Sequence, residues 1–127
     1  MAACRDLGLL KDLFNLASTR LHRVLIEQRD FADCIRRWDS RGTFFYLDPP
    51  YVGVRGHKGV YESLTQERHI ELAGLLRRVR GKWLLTLNDC HFVRTLYRGC
   101  KQLPVFVTST LPRCSIARRR ELLIGDF

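Results

Sequence analysis

The groups best suited to chemistry in this chain sit side by side. Asp48, Pro49, Pro50 and Tyr51 follow directly on the apolar run Thr43–Leu47, TFFYL. Proline has no N–H for a sheet ladder, and it fixes its own φ near about −65°. A strand entering this motif must therefore stop there, with its next carbonyls held in set directions. The Asp48 carboxylate is a strong acceptor, because charge strengthens its hydrogen bonds. A proline-stiffened carbonyl is a second acceptor, and an adjacent aromatic can stack on a nucleobase, worth about 1–3 kcal/mol. Together these parts could activate an exocyclic amine on a base. Such an amine is a poor nucleophile while its lone pair is delocalised into the ring. An acceptor for each amino hydrogen concentrates the lone pair toward an incoming methyl group. Asp48, Pro49 and Tyr51 supply acceptors and stacking surface within four residues, and in-line positioning would provide most of the remaining acceleration. The plainer account is a strand closed by a Pro-Pro turn with Asp48 as a cap.

The elements around the motif alternate. Residues 6–22 carry Leu9, Leu10, Leu13, Phe14, Leu16 and Ala17 at helical spacing, with Asn15 and Ser18-Thr19 weakening continuity. Val24-Leu25-Ile26 reads as a short buried strand ending at Glu27 or Gln28. Phe31–Trp38 reads as helix and TFFYL as a strand. Residues 52–63, with Gly53, Gly56 and Gly59, form a loop. The spacing predicts a helix over 65–80, with Thr65 as N-cap, Gly81 as the terminating residue, and an apolar face of Ile70, Leu72, Ala73, Leu75, Leu76 and Val79. KWLLTL is a strand, Asn88-Asp89 caps a helix through HFVRTLYRG, and VFVTS with ELLIGDF makes an antiparallel hairpin around a basic loop, Arg113–Arg120. This alternation with continuous apolar strands predicts a single α/β domain over 1–127, its sheet covered on both faces. In such sheets ligands gather at the carboxyl ends of strands, where Asp48 and Asn88-Asp89 both fall.

Composition narrows the classes. Lys and Arg number 22 against 13 Asp and Glu, a net charge of +9, the footprint of a polyanionic partner and of nucleic acid first. Five cysteines without a C-x-x-C pair argue against a disulfide framework and a zinc ribbon. Four scattered histidines offer no metal-ligand spacing. No apolar run nears the roughly 20 residues of a membrane span, and the charged N-terminus is a poor signal peptide, so a cytoplasmic location is expected. His57, Lys58 and Arg55 beyond the motif, and Arg118-Arg119-Arg120 with Arg113, are candidates for phosphate contact, which positions without specifying. Solvated loops are the bland account of both groups.

FFYLDPPY, Tyr61 after the glycine-rich loop, TQERHIELAGLL, the strand into Asn88-Asp89, Tyr97 and the closing SIARRRELLIGDF together resemble the Dam-type family of adenine-specific DNA methyltransferases. The resemblance runs from about residue 18 to the C-terminus. It implies a Rossmann-like core that binds S-adenosylmethionine and an adenine flipped out of duplex DNA, as in restriction-modification systems. Carried over, Asp48, Pro49, Pro50 and Tyr51 match the catalytic motif, with Asp48 also near the donor's methionine end. Asp30 and Phe31 match a position lining the pocket for the cofactor's adenine. Arg55, His57, Lys58, Tyr61, Arg118 and Arg119 would face DNA, and no metal is implied.

One departure is conspicuous. Such enzymes begin with an F-x-G-x-G loop, where glycine lets the backbone approach the cofactor closely, and no such loop occurs here. The expectation is therefore a partial methyltransferase core, lacking the glycine-loop strand and ending in an antiparallel hairpin. It would be weakly active or inactive alone and would need a separate N-terminal half. An RNA base amino-group methyltransferase, or a non-catalytic nucleic-acid-binding remnant, would fit the same motif and charge.

Overall fold

Apolar runs rich in β-branched and aromatic residues pair into a four-stranded sheet in the computed structural model, which describes residues 7–53, 64–108 and 118–126. The chain order is α1 (Leu7–Leu21), α2 (Phe31–Trp38), β1 (Phe44–Leu47), α3 (Gln66–Leu76), β2 (Lys82–Asn88), α4 (His91–Leu96), β3 (Lys101–Thr108) and β4 (Arg118–Gly125). The sheet order is β1-β2-β4-β3. β1 and β2 are parallel, with α3 in the connection between them, and β4 runs antiparallel to both β2 and β3. Pro104 lies within β3, where the edge position spares it a second ladder.

The strand registers define the core. Phe45 pairs with Trp83 and Leu47 with Leu85, while Leu85 lies opposite Ile124 and Leu87 opposite Leu122. Leu85, Leu87, Leu122 and Ile124 are fully buried and form one cluster with Ala32 and Ile35 of α2, Leu72, Ala73, Leu75 and Leu76 of α3, and Val93 of α4. Each such side chain contributes about 1.5–3 kcal/mol of burial. The opposite face is open along β1, where Phe44 is 59% and Tyr46 63% exposed. The expectation of a sheet covered on both faces therefore fails at this edge: no described helix lies over it.

Other departures have local causes. Val24, Leu25 and Ile26 are exposed and without regular secondary structure instead of forming a buried strand, because no described strand lies beside them to complete a ladder. α1 is unbroken, since Thr19 Oγ1 donates to the Asn15 carbonyl at 2.9 Å and keeps the hydroxyl inside the helical pattern. Its Leu9, Leu13, Phe14 and Leu16 nevertheless remain exposed. α3 stops at Leu76 with Arg77 as its C-cap, short of the expected Arg80. Gly81 is no helix cap. A Cβ there would meet the Thr43 carbonyl oxygen at 2.6 Å and that of Ser40 at 2.9 Å, so glycine permits the close approach of the β2 entry to the turn before β1. α4 ends at Leu96 instead of Gly99, and Arg118–Arg120 belong to β4 instead of a basic loop.

Candidate active site

The prolines do end β1, and beyond it the chain enters a turn held from several sides. Thr86, in the middle of β2, donates its hydroxyl to Asp48 Oδ1 at 2.6 Å, while the Leu47 carbonyl lies farther off at 3.3 Å. A hydroxyl has one proton, so the shorter, charge-assisted bond takes it. Among the described residues no other donor reaches Asp48, which is an exposed residue with Oδ2 not engaged by them. Asn88, the last residue of β2, grips the turn from its far end. Its Oδ1 accepts from Val52 N at 2.9 Å and its Nδ2 donates to the Val52 carbonyl at 3.1 Å. Gly53 comes next at φ 76°, a left-handed conformation that lets the chain leave the clamp without strain.

The expectation that Asn88-Asp89 caps α4 is therefore wrong on both residues. Cys90 occupies the N-cap with no side-chain cap bond. Asp89 is instead spent on Arg94 of α4 and on Arg120 of β4, the latter at 2.7 Å. The two guanidinium groups, Arg94 first, hold its carboxyl below the usual carboxylate range.

Asp48, Pro49 and Pro50 form one wall of an open cleft of about 290 Å³, completed by Tyr46, Leu47, Leu64, Leu72 and Phe31. Phe31 is thus brought to the motif. Asp30 is beside it but committed elsewhere: Oδ1 accepts from Ala32 N at 2.9 Å as the cap of α2, and Oδ2 pairs with Arg68. Arg68 of α3 also pairs with Glu71 and lies over the Phe31 ring, its guanidinium carbon 4.2 Å from the centroid. One arginine thereby fixes both members of the Asp30-Phe31 pair. Tyr51 is outside the cleft lining. Burial first, then the neighbouring Glu121 of β4, raises its phenol far above the usual value.

Of the residues expected to face nucleic acid, Arg55, His57, Lys58 and Tyr61 lie outside the described residues. Arg118 and Arg119 lie at the start of β4. Because Glu121 pairs with Asn88, these arginines sit beyond the carboxyl end of β2, on the same rim as the Asp48 turn. Among the described residues no group of three His, Cys, Asp or Glu side chains could hold a metal ion, and no helix is long and apolar enough to cross a membrane.

A strand that ends in Asp-Pro-Pro-Tyr beside a second parallel strand can be compared with known proteins. Residues 9–110 match the sequence profile of the D12 class N6 adenine-specific DNA methyltransferases. The chain belongs to this family. It is also similar to the Type II methyltransferase M.CviBI of Paramecium bursaria Chlorella virus NC1A, at 29% identity over 79 residues. That stretch covers 62% of this chain but 30% of the viral protein's length. In this D12-class chain, Thr86 on Asp48, Glu121 near Tyr51 and Arg68 on Asp30 and Phe31 were missed in the sequence, whereas Asn88 was placed on the rim but as a helix cap. Thr86 had one visible signal, its place on the strand next to β1. Arg68 and Glu121 had none.

Proposed function

We propose that this chain forms the amine-accepting part of an S-adenosylmethionine-dependent DNA adenine methyltransferase with a Rossmann-like core. The observation that carries the reading is the Asp48-Pro49-Pro50 run, at the carboxyl end of β1 and on the wall of a cleft shared with Phe31, with Tyr51 next in the chain. An adenine flipped from duplex DNA would offer its amino group to Asp48 Oδ2 and to a carbonyl of the proline pair. Thr86 holds Asp48 from behind, so the carboxylate need not reorganise when the amine arrives. Tyr51, next along the turn, would supply an aromatic surface beside the base, and Arg118 and Arg119 would meet phosphate on the same rim.

The residues present fit one end of the implied cofactor. Phe31 offers a flat ring at the cleft and Asp48 an acceptor within it, while the sequence holds no glycine loop for the methionine part. When bound, S-adenosylmethionine would supply the electrophilic methyl group. The amine's second proton would leave after transfer, and Asp48 and the proline carbonyl are the acceptors placed beside it. The open edge of β1, with Phe44 and Tyr46 exposed, is where further sheet could attach, in keeping with a core whose glycine-loop half comes from another segment or chain.

Titration calorimetry of the purified chain with S-adenosylmethionine tests the partial-core reading. Binding weaker than about millimolar is expected, and micromolar binding would sink it. In the same preparation Asp48→Ala should leave salt-dependent DNA binding nearly intact, because that binding comes from Lys and Arg against phosphate. A collapse of binding would mean Asp48 has a structural role instead.

A further inference from the structure

α3 carries a second polar residue under the motif. His69 is 0% exposed, and neither ring nitrogen reaches a partner at full hydrogen-bond geometry. It takes the inner position that sequence reading gave to Ile70, which is 53% exposed. Positions 69, 72, 73 and 76 fall on one face at i, i+3, i+4 and i+7, all buried, and Leu72 of that face lines the cleft beside Pro49 and Pro50. A leucine or phenylalanine would fill this place without leaving N–H and ring nitrogen desolvated, which costs about 1–3 kcal/mol when unmatched. The polar group that acts on the ring is the Pro50 backbone carbonyl. Burial, the larger influence, lowers the ring's proton affinity and Pro50 partly restores it, so the neutral imidazole is the form facing the turn.

The turn needs such a donor. Pro49 and Pro50 have no N–H, so at these two residues the backbone can be held only through its carbonyls. Thr86 fixes the turn at Asp48 and Asn88 fixes it at Val52, both from β2. Nothing from β2 holds the middle.

We propose that His69 is a positioning residue that donates a ring N–H to the Pro50 carbonyl from the α3 side and so sets the direction in which the proline pair and Asp48 face the cleft. The neutral ring has one donor nitrogen, and a single tautomer is fixed by that bond. The proposal rests on the site being the one described above, but its test does not depend on methyl transfer.

The experiment is NMR on the 127-residue chain with labelled histidine and labelled Pro50 carbonyl. The wild-type ring is expected to be a single neutral tautomer with one slowly exchanging N–H correlated to the Pro50 carbonyl. His69→Leu should keep the core methyl spectrum but lose the bonded Pro50 carbonyl shift, with the resonances of Asp48–Tyr51 broadened or doubled. A net hydrogen bond of this kind biases the ordered turn about fivefold. His69→Gln, which retains an N–H donor, should restore a single set, a rescue that mere core filling would not give. A fast-exchanging or doubly protonated ring, or an unchanged Asp48–Tyr51 spectrum in a folded His69→Leu, would overturn the proposal. If His69→Leu does not fold, the wild-type tautomer and N–H exchange still decide it. A failure here leaves the adenine reading standing, since that reading is decided by the methylated product and the Asp48 variant.

Discussion

Replacing Asn88 with aspartate separates two accounts of the residue at the end of β2. If Asn88 were a helix cap, aspartate would serve as well as asparagine, because both accept from helix N–H groups equally. In the structure it is a two-way clamp, accepting from Val52 N at 2.9 Å and donating to the Val52 carbonyl at 3.1 Å. Asn88→Asp keeps the acceptor, loses the donor and sets a carboxylate oxygen against a carbonyl oxygen. Each neutral hydrogen bond is worth about 1 kcal/mol net, so Asn88→Ala should cost about 2 kcal/mol and Asn88→Asp about 1–2 kcal/mol at neutral pH. For a domain of this size that is a fall in Tm of about 3–8 °C. Urea unfolding followed by circular dichroism measures the difference directly. At a pH where the new carboxyl is protonated it can donate again, and the gap to wild type should narrow. Asn88→Asp within about 0.5 kcal/mol of wild type at neutral pH would refute the clamp.

The same geometry sets two further outcomes. Thr86→Val suits a strand and removes only the hydroxyl that grips Asp48, so stability should change by less than about 1 kcal/mol while methyl transfer by the complete enzyme falls about tenfold or more; paired unfolding and rate measurements check it, and an unchanged rate would remove Thr86 from the site. Asp89 has a lowered carboxyl pKa in the folded chain, so its contribution is complete above its ordinary value near 3.8 and is lost as pH falls through the lowered one. Asp89→Asn should therefore cost about 1 kcal/mol at pH 7, discounted because Arg94 and Arg120 are half-exposed, and the cost should shrink toward zero in an acid titration of stability.

Much of the fold could be read from local pattern. α2 ends where the apolar spacing placed it, β1 stops where two prolines remove the ladder donors, and the closing hairpin forms from two apolar runs. The turn at Asp48–Tyr51 was legible because two prolines must end the strand before it, whereas Phe31 entered only through the family resemblance. What was not legible depended on packing between distant segments. Gly81 looks like a helix terminator in sequence, and only the approach of the Thr43 and Ser40 carbonyls shows why it is glycine. Val24–Ile26 has strand composition, but a strand needs a neighbour, and composition does not supply one. His69 and Ile70 illustrate the same limit, since hydrophobicity assigned the inner place to isoleucine while the geometry of α3 gave it to histidine.

The central claim, that Asp48 and the proline pair accept an adenine amine for methylation, is tested most directly by nucleoside mass spectrometry. Duplex DNA and RNA are each incubated with S-adenosylmethionine, this chain and a glycine-loop segment taken from a D12-class methyltransferase. The account predicts N6-methyladenine in DNA, dependent on the added glycine-loop segment and abolished by Asp48→Ala. Undiminished N6-methyladenine with Asp48→Ala, or methylation confined to RNA, would contradict it.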